Sequence, residues 1–171
     1  MATAKNDIGK FGRTHAEDFL YAEAEILDDW RLMEWIDIIT PDIDYRIPVR
    51  TTRESVDEAR AFSPAAFHMV EDHASLVARM KRLDTGVAFS ESPRSRARRH
   101  VSNVRVGRAS GNEVEIRSNL LFYWSRDELQ KLVSAERRDT LRLDGGRVLL
   151  AKRTVLLDHT ALPLPNLSIV L

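Results

Sequence analysis

The stretch Val104-Arg-Val-Gly-Arg-Ala-Ser-Gly-Asn-Glu-Val-Glu-Ile-Arg-Ser-Asn-Leu-Leu-Phe-Tyr-Trp124 sets the period of the second half of the chain. Val104 and Val106, then Val114, Ile116, Leu120, Phe122 and Trp124, recur at two-residue steps on either side of Ser110-Gly-Asn112. That is the spacing of two half-buried antiparallel strands joined by a hairpin turn. A second hairpin follows, in which Asp144-Gly-Gly146 links residues 140–143 to a strand running from Arg147 towards Leu157. Between the hairpins, residues 127–133 have the composition of a helix. Leu132 with Ser134 and Val133 with Ala135 equally allow a strand, and the residues leave both open.

The first half has a different rhythm. Residues 1–13 lack periodicity and read as an arm, with one α+β domain over 14–171. Thr14 followed by Glu17 fits a capping box, so a helix is expected to start there. Phe19, Leu20, Ile26, Leu27, Trp30 and Met33 give it one apolar stripe, and Asp28-Asp29 are expected to cap a second helix carrying Trp30, Met33, Trp35, Ile36 and Ile39 up to Pro41. Ile43, Tyr45 and Ile47 alternate with Asp44 and Arg46 as in a strand that Pro48 closes. Residues 49–68 have no lasting period and read as a long loop. Asp72 caps a further helix with Leu76, Val77, Met80 and Leu83 facing inward, and Gly86 suits the left-handed residue that stops it. Helices first and strands afterwards, without β-α-β alternation, predict an α+β fold: helices covering one face of a strongly curved antiparallel sheet.

Composition narrows the chemistry. The 171 residues carry 26 Lys+Arg against 26 Asp+Glu and no cysteine, so disulfides, thiolate metal sites and a cysteine nucleophile are excluded. The seven glycines form neither a phosphate loop nor a dinucleotide fingerprint. Neutral net charge gives no long-range pull on nucleic acid or an anionic membrane. The polar start has no signal-peptide core, and the expected location is the cytoplasm.

Few residues have the makings of a site. His15, His68, His73, His100 and His159 lack the spacing of a metal site, and His15 is expected to be solvated at a helix start. Asp44, Tyr45, His100 and Asp158 lie in or beside strands where they could line a concave face, with Asp44 and His100 as an acid–base pair. Trp30, Trp35 and Trp124 are expected to pack the core. Acids dominate residues 17–44, with Arg31 the sole basic residue before Arg46, whereas Arg94, Arg96, Arg98, Arg99, Arg105 and Arg108 form an acid-free run. Two such patches either meet within one fold or dock subunits. The end, Ala161-Leu-Pro-Leu-Pro-Asn-Leu-Ser-Ile-Val-Leu171, is too apolar to stand in water, and an oligomer interface is its natural place.

Several segments, in order along the chain, carry a resemblance: Glu23-Ala-Glu-Ile-Leu-Asp-Asp-Trp30 with Trp35, Asp44-Tyr45-Arg46, Arg82-Leu-Asp-Thr-Gly86, Pro93-Arg-Ser-Arg-Ala-Arg-Arg-His-Val-Ser-Asn103, Lys152-Arg-Thr-Val-Leu-Leu-Asp158 and Asn166-Leu-Ser168. Together they resemble the small (β) subunit of bacterial aromatic-ring-hydroxylating dioxygenases. The resemblance implies a cone-shaped fold like that of nuclear transport factor 2 and ketosteroid isomerase, with 126–143 mainly strand. It also implies a non-catalytic subunit without cofactor or metal, assembled with copies of itself and a large α subunit as an α3β3 hexamer. That large subunit would carry the Rieske 2Fe-2S cluster and the mononuclear Fe(II), supplied with electrons from NADH through further components. Arg94, Arg96, Arg98, Arg99, Leu167, Ile169 and Leu171 are then the expected subunit contacts. The competing expectation is a free-standing cone-fold isomerase, dehydratase or hydrolase using Asp44 and His100, or a ligand-binding module without a partner enzyme.

Overall fold

The computed structural model describes residues 11–51, 61–86, 91–165 and 167–171. Three helices, α1 (Arg13–Asp28), α2 (Leu32–Ile36) and α3 (His73–Asp84), accompany six strands: β1 (Ile39–Arg50), β2 (Phe62–Glu71), β3 (Arg96–Ser110), β4 (Glu113–Arg126), β5 (Leu129–Asp144) and β6 (Arg147–Leu157). The strands form one sheet in the order β2-β1-β6-β5-β4-β3. All neighbours are antiparallel except β1 and β6. Register shifts interrupt four of the five pairings, and such bulges bend strands of this length. The result is the cone-shaped fold of nuclear transport factor 2, with α1 against β3, α3 against β1 and β2, and α2 packed on α1 and α3.

Both hairpins stand where the period-two pattern places them. Asp144 pairs with Arg147 across Gly145 and Gly146, whose φ values of 55° and 85° make the mirror-image turn that suits the twist of two strands. The open segment is a turn at Asp127-Glu128 followed by strand, since β5 pairs with β4 from Leu129 to Arg142. Asp72 caps α3, its Oδ1 accepting from the Ser75 amide at 2.8 Å, and Gly86 has φ 69°. Leu76, Met80 and Leu83 are buried, while Val77 is half-buried.

Other boundaries differ from expectation. The cap of α1 is Gly12, whose amide donates to His15 Nδ1 at 3.1 Å, so the helix starts before the Thr14 box. His15 is exposed, as expected. Asp28 closes α1 instead of opening α2, because its carboxylate accepts both the amide and the guanidinium of Arg99, at 3.0 and 2.6 Å. Met33 is exposed, and Ile39 belongs to β1. Neither Pro41 nor Pro48 ends an element. Pro41 lies in β1 before its pairing with β2 begins and within a register shift against β6, and Pro48 sits at a register shift against β2. These are the places in a sheet that tolerate a missing amide hydrogen. The expected loop over 49–68 contains the end of β1 and most of β2. Its strand pattern was weak because β2 is an edge strand with Met69 its one buried side chain. Residues 52–60 of that loop, and residues 1–10 of the expected arm, lie outside the described residues.

The apolar end docks on its own chain. Leu164, Ile169, Val170 and Leu171 join the main core cluster, and Leu167 packs half-buried against it. Trp35 and Trp124 are core residues as expected, whereas Trp30 is half-buried.

Candidate functional site

In a cone fold the natural place for chemistry is the hollow between helices and sheet. Here that space is filled. One rank of facing residues crosses four strands, with Tyr45 on β1 beside Arg153 on β6, then Asp139 on β5 and Ile116 on β4. The next rank places Ser118 beside Arg137. Glu23 reaches down from α1 among the apolar side chains of Ala16, Leu20 and Leu27. Arg153 donates to both oxygens of Glu23 at 2.7 Å and to both oxygens of Asp139 at 2.9 Å, and all three side chains are fully buried. Trp35 Nε1 donates to Glu23 at 3.0 Å. Arg137 adds a fourth charge, with Nη1 3.5 Å from Glu23 Oε2.

Two cations and two anions therefore balance inside the protein. Burial opposes the ionised form of Glu23, but the charges of Arg153 and Arg137, with the bonds from Arg153 and Trp35, hold its pKa down at about 2. Burial and the neighbouring charge of Arg153 lower Arg137 to about 10. For Arg153 itself burial is outweighed by Asp139 and Glu23, which raise its pKa well above the ordinary value. Burial also raises the Tyr45 phenol. At neutral pH Glu23, Arg137 and Arg153 are thus held charged and Tyr45 neutral, the opposite of a proton-transfer pair poised near 7.

Tyr45 closes the network onto the tail. Its hydroxyl donates to the Leu171 backbone oxygen and accepts from the Leu171 amide, both at 2.9 Å. Tyr45→Phe strands the Leu171 amide in the core and leaves the Leu171 oxygen only the 3.5 Å contact with Arg153 Nη1, and is expected to cost about 1–3 kcal/mol in a denaturant titration. A loss near zero would mean that the tail is held without this hydroxyl, by apolar packing and by the bonds of Arg79 and Arg99 to the Leu167 and Val170 oxygens. The interior gap beside the tail, bordered by Trp30, Met80, Ala97 and Arg99, measures about 10 Å³. One water is the most that fits, against the few hundred Å³ of a small-molecule site.

The expected acid–base pair does not form. Asp44 and His100 lie on β1 and β3, which are separated by β6, β5 and β4, or roughly 19 Å at the usual strand spacing. Asp44 bonds Arg46 at 2.6 Å and lies 3.6 Å from Lys152, while His100 is exposed. Asp158 is exposed and accepts from Ser134 Oγ at 2.6 Å, so only Tyr45 of the expected four faces the interior. Among the described residues no three His, Cys, Asp or Glu side chains gather as metal ligands would.

The arginine run divides. Arg99 is buried, and besides Asp28 it donates to the Val170 oxygen at 2.6 Å. Part of the acidic and basic stretches thus meet within one fold. Arg94, Arg96 and Arg98 stay exposed along a groove of about 550 Å³ between the end of α1 and strand β3. Arg94 lies over the Trp30 ring, 4.5 Å from its centroid.

Sequence reading missed Glu23, Arg137, Asp139 and Arg153, although each leaves a trace. Glu23 lies on the apolar stripe of α1. Arg137 and Asp139 share the parity of Val133, Ala135 and Leu141, and Arg153 that of Ala151 and Val155.

Residues 22–163 match the family described as the ring hydroxylating beta subunit. The chain belongs to that family. This β subunit is 37% identical over 159 residues to the biphenyl 2,3-dioxygenase subunit beta of Rhodococcus jostii (strain RHA1), covering 89% of this chain and 84% of that one. It is also 37% identical over 158 residues to the benzene 1,2-dioxygenase subunit beta of Pseudomonas putida F1, with the same coverage. A naphthalene 1,2-dioxygenase structure with indole bound in its active site contains a chain of the same fold. The TM-score is 0.81 at 22% identity, over 93% of this β subunit and 85% of that chain. The match to the family spans every strand of the sheet and the charged residues Glu23, Arg137, Asp139 and Arg153 of the interior network.

Proposed function

We propose that this β subunit is the structural, non-catalytic component of the terminal oxygenase of a multicomponent dioxygenase that degrades an aromatic compound. The filled cone carries the reading: the position a cone-fold enzyme would use for substrate holds a charge-balanced ionic network of Glu23, Asp139, Arg137 and Arg153. Without cysteine the chain also lacks the thiolates of a Rieske cluster. The 2Fe-2S cluster and the mononuclear Fe(II) are therefore assigned to a large α subunit, with electrons from NADH arriving through separate components.

Assembly is α3β3 in this reading, with Arg94, Arg96, Arg98 and Leu167 at subunit contacts and Arg99, Ile169 and Leu171 supporting them from beneath. No described helix is long and apolar enough to cross a membrane. We place the complex in the cytoplasm and residues 14–171 in one domain.

Co-expressed with its large subunit, the chain is expected to co-purify near equal stoichiometry, and alone to bind no iron and oxidise no arene. Iron retained by the isolated chain together with arene oxidation would overturn the proposal.

A further inference from the structure

We infer that a second copy of this chain seats the acidic outer face of its helix α1 in the arginine-lined groove beside Trp30. The inference names the occupant of one surface in the assembly proposed above and rests on that reading.

The groove is built for an anion carried on an apolar body. Trp30, Tyr123, Arg94, Arg96 and Arg98 line it. Among the described residues neither Arg94 nor Arg96 has a carboxylate partner. The nearest carboxylate to Arg98 is Asp28 at 4.0 Å, already bound by Arg99. Trp30 has φ 60°, a left-handed backbone that a bulky side chain rarely adopts, and this turn leaves its ring half-buried on the groove wall beneath Arg94. The basic rim continues into apolar surface. Arg98 pairs with Tyr123, and Tyr123 with Leu132, across three strands, and Leu132 and neighbouring Leu121 are 53% and 41% exposed.

The same molecule presents the complement. Asp18, Tyr21, Ala22 and Glu25 on α1, with Asp29 at its C-cap, are exposed and lie three or four residues from one another along one face. Tyr21, 49% exposed, stands between Asp18 and Glu25, an aromatic knob flanked by carboxylates. Asp18 has no ion pair among the described residues, and Arg31 is the partner of Glu25 and Asp29. Each patch repels its own kind and attracts the other, which orients encounter and excludes like-to-like pairing. A contact between unlike patches of identical chains is heterologous, and repeated through a closing rotation it makes a ring, as a trimeric core requires.

Charge reversal tests this in the isolated chain and in the complex with the large subunit, with particle size read by sedimentation and copy number by native mass spectrometry. Arg96→Glu/Arg98→Glu and Asp18→Arg/Glu25→Arg are each expected to weaken self-association about a hundred-fold, with unchanged circular dichroism. The four substitutions combined are expected to restore it to within about ten-fold of wild type. Wild-type oligomer size in either pair variant, or no recovery in the combined chain, overturns the inference. So does loss of the large subunit from Arg96→Glu/Arg98→Glu while self-association persists, since the groove would then hold the large subunit. If charge-swap recovery holds but the wild-type chain binds no large subunit, the proposed function fails and this inference stands.

Discussion

Arg153→Met lowers the free energy of unfolding by about 3–5 kcal/mol, the usual effect of stranding buried charge. Arg153 makes four charge-assisted hydrogen bonds of 2.7–2.9 Å and ties helix α1, through Glu23, to strand β5, through Asp139. Its loss leaves Glu23 and Asp139 facing Arg137 alone, so a balanced interior becomes one with an excess negative charge. Arg153→Lys is also expected to destabilise, by less, because a single ammonium cannot fork to two carboxylates at once. The informative comparison is Glu23→Met/Arg153→Met. It removes one charge of each sign and leaves Arg137 with Asp139, so it should cost less than Arg153→Met alone despite deleting more bonds. Urea titration decides the matter. A double variant less stable than the single one would show that the bonds themselves, and not charge balance, govern the interior. For a domain stable by roughly 5–15 kcal/mol, the single variant stands near the edge of folding.

Strand β4 was legible because it buries one face, and alternation is strong where burial is one-sided, whereas β6, buried in runs on both faces, was marked by the Asp144-Gly-Gly146 turn that joins it to the end of β5. Strand β2 was not legible, since an edge strand needs no apolar face. The junction between α1 and α2 was misread for a different reason. Asp28 has the side chain of a helix cap, and its role as the partner of Arg99 depends on a contact across 71 residues of sequence. The same holds for the tail. Its hydrophobicity demanded cover, but whether that cover comes from Tyr45 and its own core or from another subunit is a property of the folded chain. The interior network was readable only in part: a lone Arg or Glu on an apolar stripe signals a buried partner without saying which. Asp44 and His100 were suitable residue types on strands that the sheet order keeps apart.

Acidification gives the second large effect, and its sign follows from Glu23. In the unfolded chain this carboxyl titrates at its ordinary value of 4.5, whereas in the fold it is held at about 2. Its contribution is therefore complete above pH 4.5 and is lost as pH falls from there towards 2, because the unfolded chain takes up a proton that the folded one refuses. Integrated over that interval, the loss is about 3 kcal/mol. Asp42 is likewise held at about 2, by Arg142, but it stands at the surface where water and salt screen the pair, so it adds little. Two measurements separate the contributions. In Glu23→Gln the carboxylate is gone, so stability below pH 4.5 should fall less steeply than in the wild type, and the two curves should converge near pH 2–3. Raising ionic strength should leave the Glu23 component nearly unchanged, since a dry interior pair is hardly screened, while removing whatever Asp42 supplies. Parallel curves for the wild type and Glu23→Gln would mean that the fold leaves this carboxyl at its ordinary value, so that Arg153 and Arg137 do no more than offset its burial. A wild type that gains stability relative to Glu23→Gln as pH falls would mean a carboxyl held protonated by the fold, and only that result would put a proton-transfer acid in the cone.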